Sequence, residues 1–202
     1  MRRYLRPATF LLCLLPLAWL IARAFGVAGT SLGANPIDEL QDRTGDWALR
    51  LLLITLCITP LAVTLCKPWL LAVRRMLGLF AFGYLCLHFL NWLVLDQWLD
   101  LRAVLADIAK RPYITVGFIA FLMLVPLAVT STAGWMHRLG RRWHQLHRLI
   151  YPAAILGCAH FWWQVKADWR EPLVYALVLA LLLGWRVWRA RIRGSAAAVP
   201  AR

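Results

Sequence analysis

Long apolar stretches constrain the fold of this chain more than any other feature of its sequence. Of its 202 residues, 62% are hydrophobic, and stretches of about 20 apolar residues are long enough to cross a bilayer as α-helices. Backbone polar groups in lipid must be hydrogen-bonded within the protein, so we expect an all-α integral membrane protein, a six-helix transmembrane bundle. The predicted spans are residues 8–25, 47–65, 76–95, 113–129, a stretch within 138–168, and 172–188.

Charged residues are divided unevenly between the two sides of these spans. All nine acidic residues lie in three of the segments between or beside apolar stretches, whereas the other connections and both termini carry only basic residues. Lys and Arg accumulate in cytoplasmic loops, so we expect a multi-pass protein with both termini in the cytoplasm. The net charge of +14 follows from this orientation and does not indicate nucleic-acid binding.

The segments outside the spans predict a few local features. The start of the chain resembles a secretory signal peptide, but five more apolar stretches follow, so we expect an uncleaved first helix. Asn35 and Pro36 suit the cap and first position of a short interfacial helix, and residues 104–108 suit a helix on the membrane surface. We expect one transmembrane domain at 1–193 and a disordered cytoplasmic tail at 194–202.

Two histidines lie at matching depths in spans three and five. His88 comes eight residues before Asp96, and His160 comes eight residues before Asp168. The two spans cross in the same direction, so both side chains should lie at one level, roughly 20 Å from the cytoplasmic edge at the α-helical rise. Ionisable side chains inside membrane spans are rare and mark functional sites.

The surroundings of these histidines favour a haem between helices three and five, since histidine is a common axial ligand of haem iron. A flat macrocycle needs small residues on the same helix faces. Ala81 lies seven residues before His88, and Ala153 and Gly157 lie seven and three residues before His160. A bare zinc site would need further ligands at this depth. A hydrogen-bonded pair or a proton relay is the alternative.

His147 is a candidate inner ligand at the cytoplasmic edge of span five. The matching position on span three holds Arg74 or Arg75, so a second bis-histidine haem lacks its partner. His147 lies thirteen residues before His160, about 140° off its face on an ideal helix. Both therefore line one wall only if Pro152 bends or overwinds the helix.

Other basic residues lie near this inner position. His144 is one turn before His147 on the same face and is an alternative inner ligand. Arg141 and Arg142, with the two arginines of span three, form a basic group that suits a flavin phosphate or a haem propionate. The positive-inside pattern alone also explains these arginines.

Four segments together resemble the ferric-reductase-like transmembrane group, which includes the NADPH oxidases, and within it the MsrQ (YedZ) family of haem-binding membrane subunits. They are NPIDELQDRTGDWALRLLLITLCITPL at 35–61, RRMLGLFAFGYLCLH at 74–88, RPYITVGFIAFLMLVPLAVTST at 111–132, and LGRRWHQLHRLIY at 139–151 followed by His160. The resemblance covers nearly the whole chain.

This resemblance implies that His88, His147 and His160 bind b-type haem, one or two per chain, and that FMN is a further cofactor. It implies a bacterial inner-membrane subunit that passes electrons to MsrP, a separate molybdenum-containing periplasmic methionine sulfoxide reductase. The partner then carries out substrate reduction. Compared with the oxidases, span three lacks the inner histidine, so the number of haems stays open.

The sequence contains no GxGxxG or P-loop motif for a nucleotide, so we expect electrons from a membrane quinol or a cytoplasmic flavin reductase. A second carrier near the cytoplasmic side is then needed: a second haem on His147, the flavin, or a quinol. Two other classes of function stay open, namely a small transporter or proton channel and a membrane anchor that only docks a partner. Neither needs a visible chromophore.

Overall fold

A computed structural model describes residues 2–165 and 168–197, and every regular element in these ranges is helical. The all-α prediction is therefore confirmed. Three short 3-10 turns and one π-helical turn join or extend the α-helices. The α-helices are α1 (Arg2–Ala24), α2 (Pro36–Thr64), α3 (Leu71–Leu90), α4 (Leu101–Lys110), α5 (Pro112–Val129), α6 (Ala133–Leu139), α7 (Arg141–Leu146), α8 (Ile150–Gln164) and α9 (Arg170–Ala197).

Five helical segments of the described chain are long and apolar enough to cross a membrane: Tyr4–Ala24, Pro36–Thr64, Pro68–Asp96, Pro112–Val129 and Arg170–Ile192. They agree with five of the six predicted spans. The stretch predicted within 138–168 is divided between α7, a 3-10 turn at His147–Leu149, and α8. With 15 residues, α8 is about 22 Å long at the helical rise.

Helix α2 begins as the sequence predicts but continues further. The Asn35 side chain accepts a hydrogen bond from the Asp38 N–H, and Pro36 is at the start of the helix. The predicted division into an interfacial helix and a separate span is wrong, because α2 runs unbroken for 29 residues. No proline interrupts it between Pro36 and Pro60, and an ion pair one turn apart, Arg50 with Asp46, supports the helix where the break was expected.

The core forms where α2 packs between α3 and α9, and α8 closes against it. Leu52 and Leu56 of α2, Leu77 of α3 and Leu179 of α9 are all buried. Ala154 of α8 is completely buried, and small residues of this kind allow membrane helices to approach closely. Leucines on the outer faces stay exposed, as lipid-facing side chains do.

Two antiparallel helix pairs position the candidate site. α3 packs mainly on α2, and α8 packs mainly on α5. A helix, α4, forms where the sequence predicts one: the Asp100 side chain caps its first turn, and its Val104 side chain is buried. At the other end of the chain, α9 continues to Ala197, so the first four residues of the predicted tail are helical. Residues 198–202 lie outside the described ranges.

Candidate functional site

His88 of α3 and His160 of α8 lie side by side. Their ring centres are 6.2 Å apart, and their ring planes are inclined at 80°. Metal–imidazole bonds are about 2 Å long, so two imidazoles on opposite sides of one metal ion have ring centres roughly 6 Å apart. The distance between these rings is therefore compatible with one metal ion held by both imidazoles, and the predicted match in depth is confirmed.

Each of these rings is held by a backbone carbonyl of a neighbouring helix. His88 donates from Nδ1 to the Gln41 oxygen of α2 at 2.9 Å, and His160 donates from Nδ1 to the Tyr113 oxygen of α5 at 2.7 Å. Because a carbonyl only accepts, Nδ1 carries the proton in both rings, and Nε2 keeps the lone pair of a neutral imidazole. Metal-binding histidines are commonly oriented in this way.

The Gln41 side chain also lies at the site, next to His88. Its Nε2 is 3.3 Å from the His88 Nε2. Its Oε1 accepts a hydrogen bond of 2.7 Å from Asn91 Nδ2, which also contacts the Ile37 oxygen at 3.2 Å. Asn91 is buried and begins a π-helical turn, an irregularity that often occurs at functional sites. The sequence prediction missed this pair, although an asparagine within an apolar span was a usable signal.

A cavity of about 910 Å³ surrounds the two histidines, between α2, α3, α5 and α8. This volume is within the range of roughly 300–1,000 Å³ that is typical of ligand and cofactor pockets. Ala81, Ala153 and Gly157 line it, so the predicted small faces do adjoin the histidines. Phe89 stacks on Phe121 with ring centres 4.6 Å apart, and both rings form part of the aromatic wall.

The mouth of the cavity is strongly acidic. Seven of the chain's nine acidic side chains line it, with Arg43 and Arg111 as the basic members. The Tyr113 hydroxyl and the nearby Asp107 carboxylate raise the pKa of Arg111 above its ordinary value, so this side chain stays charged. The acidic members are Asp38, Glu39, Asp42, Asp46, Asp96, Asp168 and Glu171.

His147 lies apart from this cavity. Its Nε2 is 3.1 Å from Thr130 Oγ1 at the end of α5, and its ring stacks on Trp143 with centres 3.8 Å apart. The Trp143 indole N–H donates to the Thr130 oxygen at 2.9 Å. Among the described residues, the cavity is lined by His88 and His160 without His147. The helix changes to a 3-10 turn at His147 itself, five residues before Pro152.

The remaining predicted site residues lie away from the cavity lining that the structure describes. His144 is exposed and contacts Trp143 edge-on. Arg74 donates to Thr59 Oγ1 of α2 at 3.1 Å. Arg75, Arg141 and Arg142 are exposed. Within the described ranges, no group of three or more His, Cys, Asp or Glu side chains is arranged to hold a metal ion by itself.

Comparison with known proteins identifies relatives over most of the chain. Residues 44–158 match the family model described as "Ferric reductase like transmembrane component". A curated protein of Xanthomonas campestris pv. campestris, "Protein-methionine-sulfoxide reductase heme-binding subunit MsrQ", is 58% identical over 163 residues, which are 79% of this chain and 73% of the relative.

Two further relatives carry the same name. The protein of Xanthomonas axonopodis pv. citri is 53% identical over 86% of this chain and 79% of its own length. The protein of Caulobacter vibrioides is 51% identical over 90% of this chain and 86% of its own length. No solved structure matches. At this identity and coverage, the chain belongs to the MsrQ family, within the ferric-reductase-like transmembrane proteins.

Proposed function

We propose that this protein is the haem-binding membrane subunit of a methionine sulfoxide reductase system. It carries electrons across the bacterial inner membrane to a periplasmic reductase of the MsrP type. The names of its relatives support the system. The observation that carries the proposal is the pair His88 and His160, whose ring centres are 6.2 Å apart inside a large cavity.

The Nε2 atoms of His88 and His160 hold a b-type haem in this proposal. The haem supplies reversible one-electron chemistry at its iron. The chain orients both imidazoles through their Nδ1 hydrogen bonds, and the small residues of α3 and α8 leave room for a flat ring.

The membrane arrangement completes the proposal. We take α7, the 3-10 turn and α8 together as the sixth span, with both termini in the cytoplasm. The acidic mouth then faces the periplasm, where it suits a partner with a basic docking surface, because opposite charges steer association. The exposed basic group, Arg74, Arg75, Arg141 and Arg142, then faces the cytoplasm.

An inner electron carrier is also part of the proposal, because the outer pair is roughly 20 Å from the cytoplasmic edge at the helical rise. The candidates are a second haem on His147, with His144 as its alternative, FMN held by the basic group, and a quinol between helices. Electrons enter from the quinone pool or from a cytoplasmic flavin reductase. His147, whose Nε2 contacts Thr130 in the structure, is the position at which the second haem is tested.

The test is a reduced-minus-oxidised absorbance spectrum of the purified protein, with a pyridine haemochrome assay for haem per chain. We expect a low-spin b-type spectrum that is lost in His88→Ala and in His160→Ala. The exposed His137 provides the control, so His137→Ala should keep the full spectrum. Retention of the spectrum in both cavity variants contradicts the proposal, and a folded preparation without haem favours a proton relay.

The same assay counts the carriers. With two haems per chain, His147→Ala should halve the haem content and leave the outer spectrum intact. With one haem, His147→Ala should leave haem content unchanged, and extraction of the protein should release FMN or quinone. A single haem with neither co-purified molecule contradicts an internal second carrier.

A further inference from the structure

Two helix glycines lie directly against the histidine rings. A Cβ atom built on Gly45 of α2 would be 2.9 Å from both the Cε1 and Nδ1 atoms of His88. A Cβ atom built on Gly117 of α5 would be 2.7 Å from Nδ1 of His160 and 2.9 Å from its Cε1. Contacts this short do not occur with real Cβ atoms, so neither position accepts a side chain while the ring keeps its place.

The position of each glycine relative to the accepting carbonyl is the same. Gly45 is four residues after Gln41, and Gly117 is four residues after Tyr113. In an α-helix, residue i+4 donates its N–H to carbonyl i, so its side chain flanks that carbonyl. A carbonyl oxygen has a second lone pair, and at both of these carbonyls residue i+4 is a glycine, whose missing side chain leaves room for the ring.

The arrangement occurs once in each antiparallel helix pair. His88 and its acceptor Gln41 are 47 residues apart in the sequence, and His160 and its acceptor Tyr113 are also 47 residues apart. In both pairs a histidine near the end of one helix meets a carbonyl near the start of the other. The same local arrangement therefore holds each ring, once in the α2–α3 pair and once in the α5–α8 pair.

We propose that Gly45 and Gly117 are positioning residues for the two haem ligands. Each glycine opens a groove in its helix, the histidine ring lies in that groove, and the carbonyl four residues earlier fixes Nδ1 as a donor, so that Nε2 is the nitrogen that would bind the iron. This inference rests on the proposed function, since it concerns the same cavity. It assigns a role to α2 and α5, which contribute no ligand themselves.

Gly45→Ala and Gly117→Ala test the proposal in the full-length protein. Loss of a ligand-orienting contact typically weakens metal binding by about 10–100-fold, so we expect haem retention to fall at least about tenfold. The haem that remains should shift from low-spin to high-spin in electron paramagnetic resonance, because each variant disturbs one ligand. Full haem content with an unchanged low-spin signal overturns the proposal.

Gly83→Ala and Gly184→Ala are matched controls, because a Cβ atom at either helical position meets nothing within 4 Å. Alanine is intrinsically favoured over glycine in a helix, so the controls should keep or raise the melting temperature. The two groove variants should lower it. Equal behaviour of control and groove variants overturns the proposal.

A double variant separates ring positioning from general helix packing. In a His88→Ala background the ring is absent, so adding Gly45→Ala should no longer lower the melting temperature. An equal loss with and without the ring overturns the proposal, since the glycine would then act on its own helix. This readout does not need haem. If the protein binds none, the proposed function fails, while the ring-dependent loss still shows whether the groove holds His88.

Discussion

Arg186 of α9 compensates for a proline inside α2. Pro60 has no N–H, so it cannot donate to the Leu56 carbonyl one turn earlier. Arg186 donates from Nη2 to that Leu56 oxygen and from Nη1 to the Leu182 oxygen of its own helix at 2.7 Å. Its guanidinium also lies 5.4 Å from the centre of the Tyr151 ring. One side chain therefore joins α9 to α2 and α8.

Arg186→Met keeps most of the apolar stem and removes the donors. A buried carbonyl left without a partner costs about 1–3 kcal/mol, and a lost cation–π contact about 0.5–1 kcal/mol. Side-chain hydrogen bonds between membrane helices average nearer 0.6 kcal/mol, which favours the lower part of this range. We expect a loss of about 2 kcal/mol, which for a chain of this size lowers the melting temperature by roughly 4–8 °C.

If Arg186 compensates for Pro60, then Pro60→Ala should rescue the Arg186 variant. Alanine at position 60 supplies the missing N–H to Leu56, so the double variant should recover about 1 kcal/mol, the share of the carbonyl. Thermal unfolding in detergent, followed by far-UV circular dichroism, measures each variant. Arg189→Met is the control for the lost cation–π contact. The Arg189 guanidinium carbon lies over the Trp185 ring, 5.1 Å from the ring centre. Simple addition of the two single effects would refute the compensation.

The same melting assay checks three further changes. Glu39→Gln removes the ion pair that joins the start of α2 to Arg23 of α1, and we expect a small decrease of the melting temperature that salt screens; an unchanged melting temperature at low salt would contradict this. Asn35→Ala removes the cap of α2 at a cost of about 1 kcal/mol, whereas Asn35→Ser should retain most of the stability. Asn91→Leu removes the Asn91 donor from the Gln41 Oε1 and from the Ile37 oxygen, and we expect a loss of about 1–2 kcal/mol. A stabilised variant would argue that the Asn91 amide is not held as described.

The depth of the site was predictable from the sequence because helical rise is constant. Counting residues from the charges at the span ends placed His88 and His160 at one level, and their rings are adjacent. Helical periodicity likewise placed Ala81 and Ala153 beside them. These predictions needed only distances along single helices, which do not depend on how the helices pack.

Helix rotation and helix partners were not predictable in the same way. His147 has a suitable residue type and depth, but the structure turns it to Thr130 and Trp143, because a 3-10 turn precedes α8. The grooves at Gly45 and Gly117 depend on which helix packs against which, and a glycine can occur in a span for many different reasons. One sequence carries no information that pairs Gly45 with His88.

The grooves also explain how both histidines are held without a charged hydrogen-bond partner at Nδ1. A buried Nδ1–H without an acceptor is costly, and a carboxylate partner would add a second charge that is expensive within a membrane. A helix carbonyl is neutral and present on every neighbouring helix, and at these two carbonyls the glycine at i+4 gives the ring room to approach. The missing side chains at Gly45 and Gly117 leave room for the rings, so a neutral carbonyl orients each imidazole. The helices α2 and α5 thereby determine that Nδ1 of each ring carries a proton.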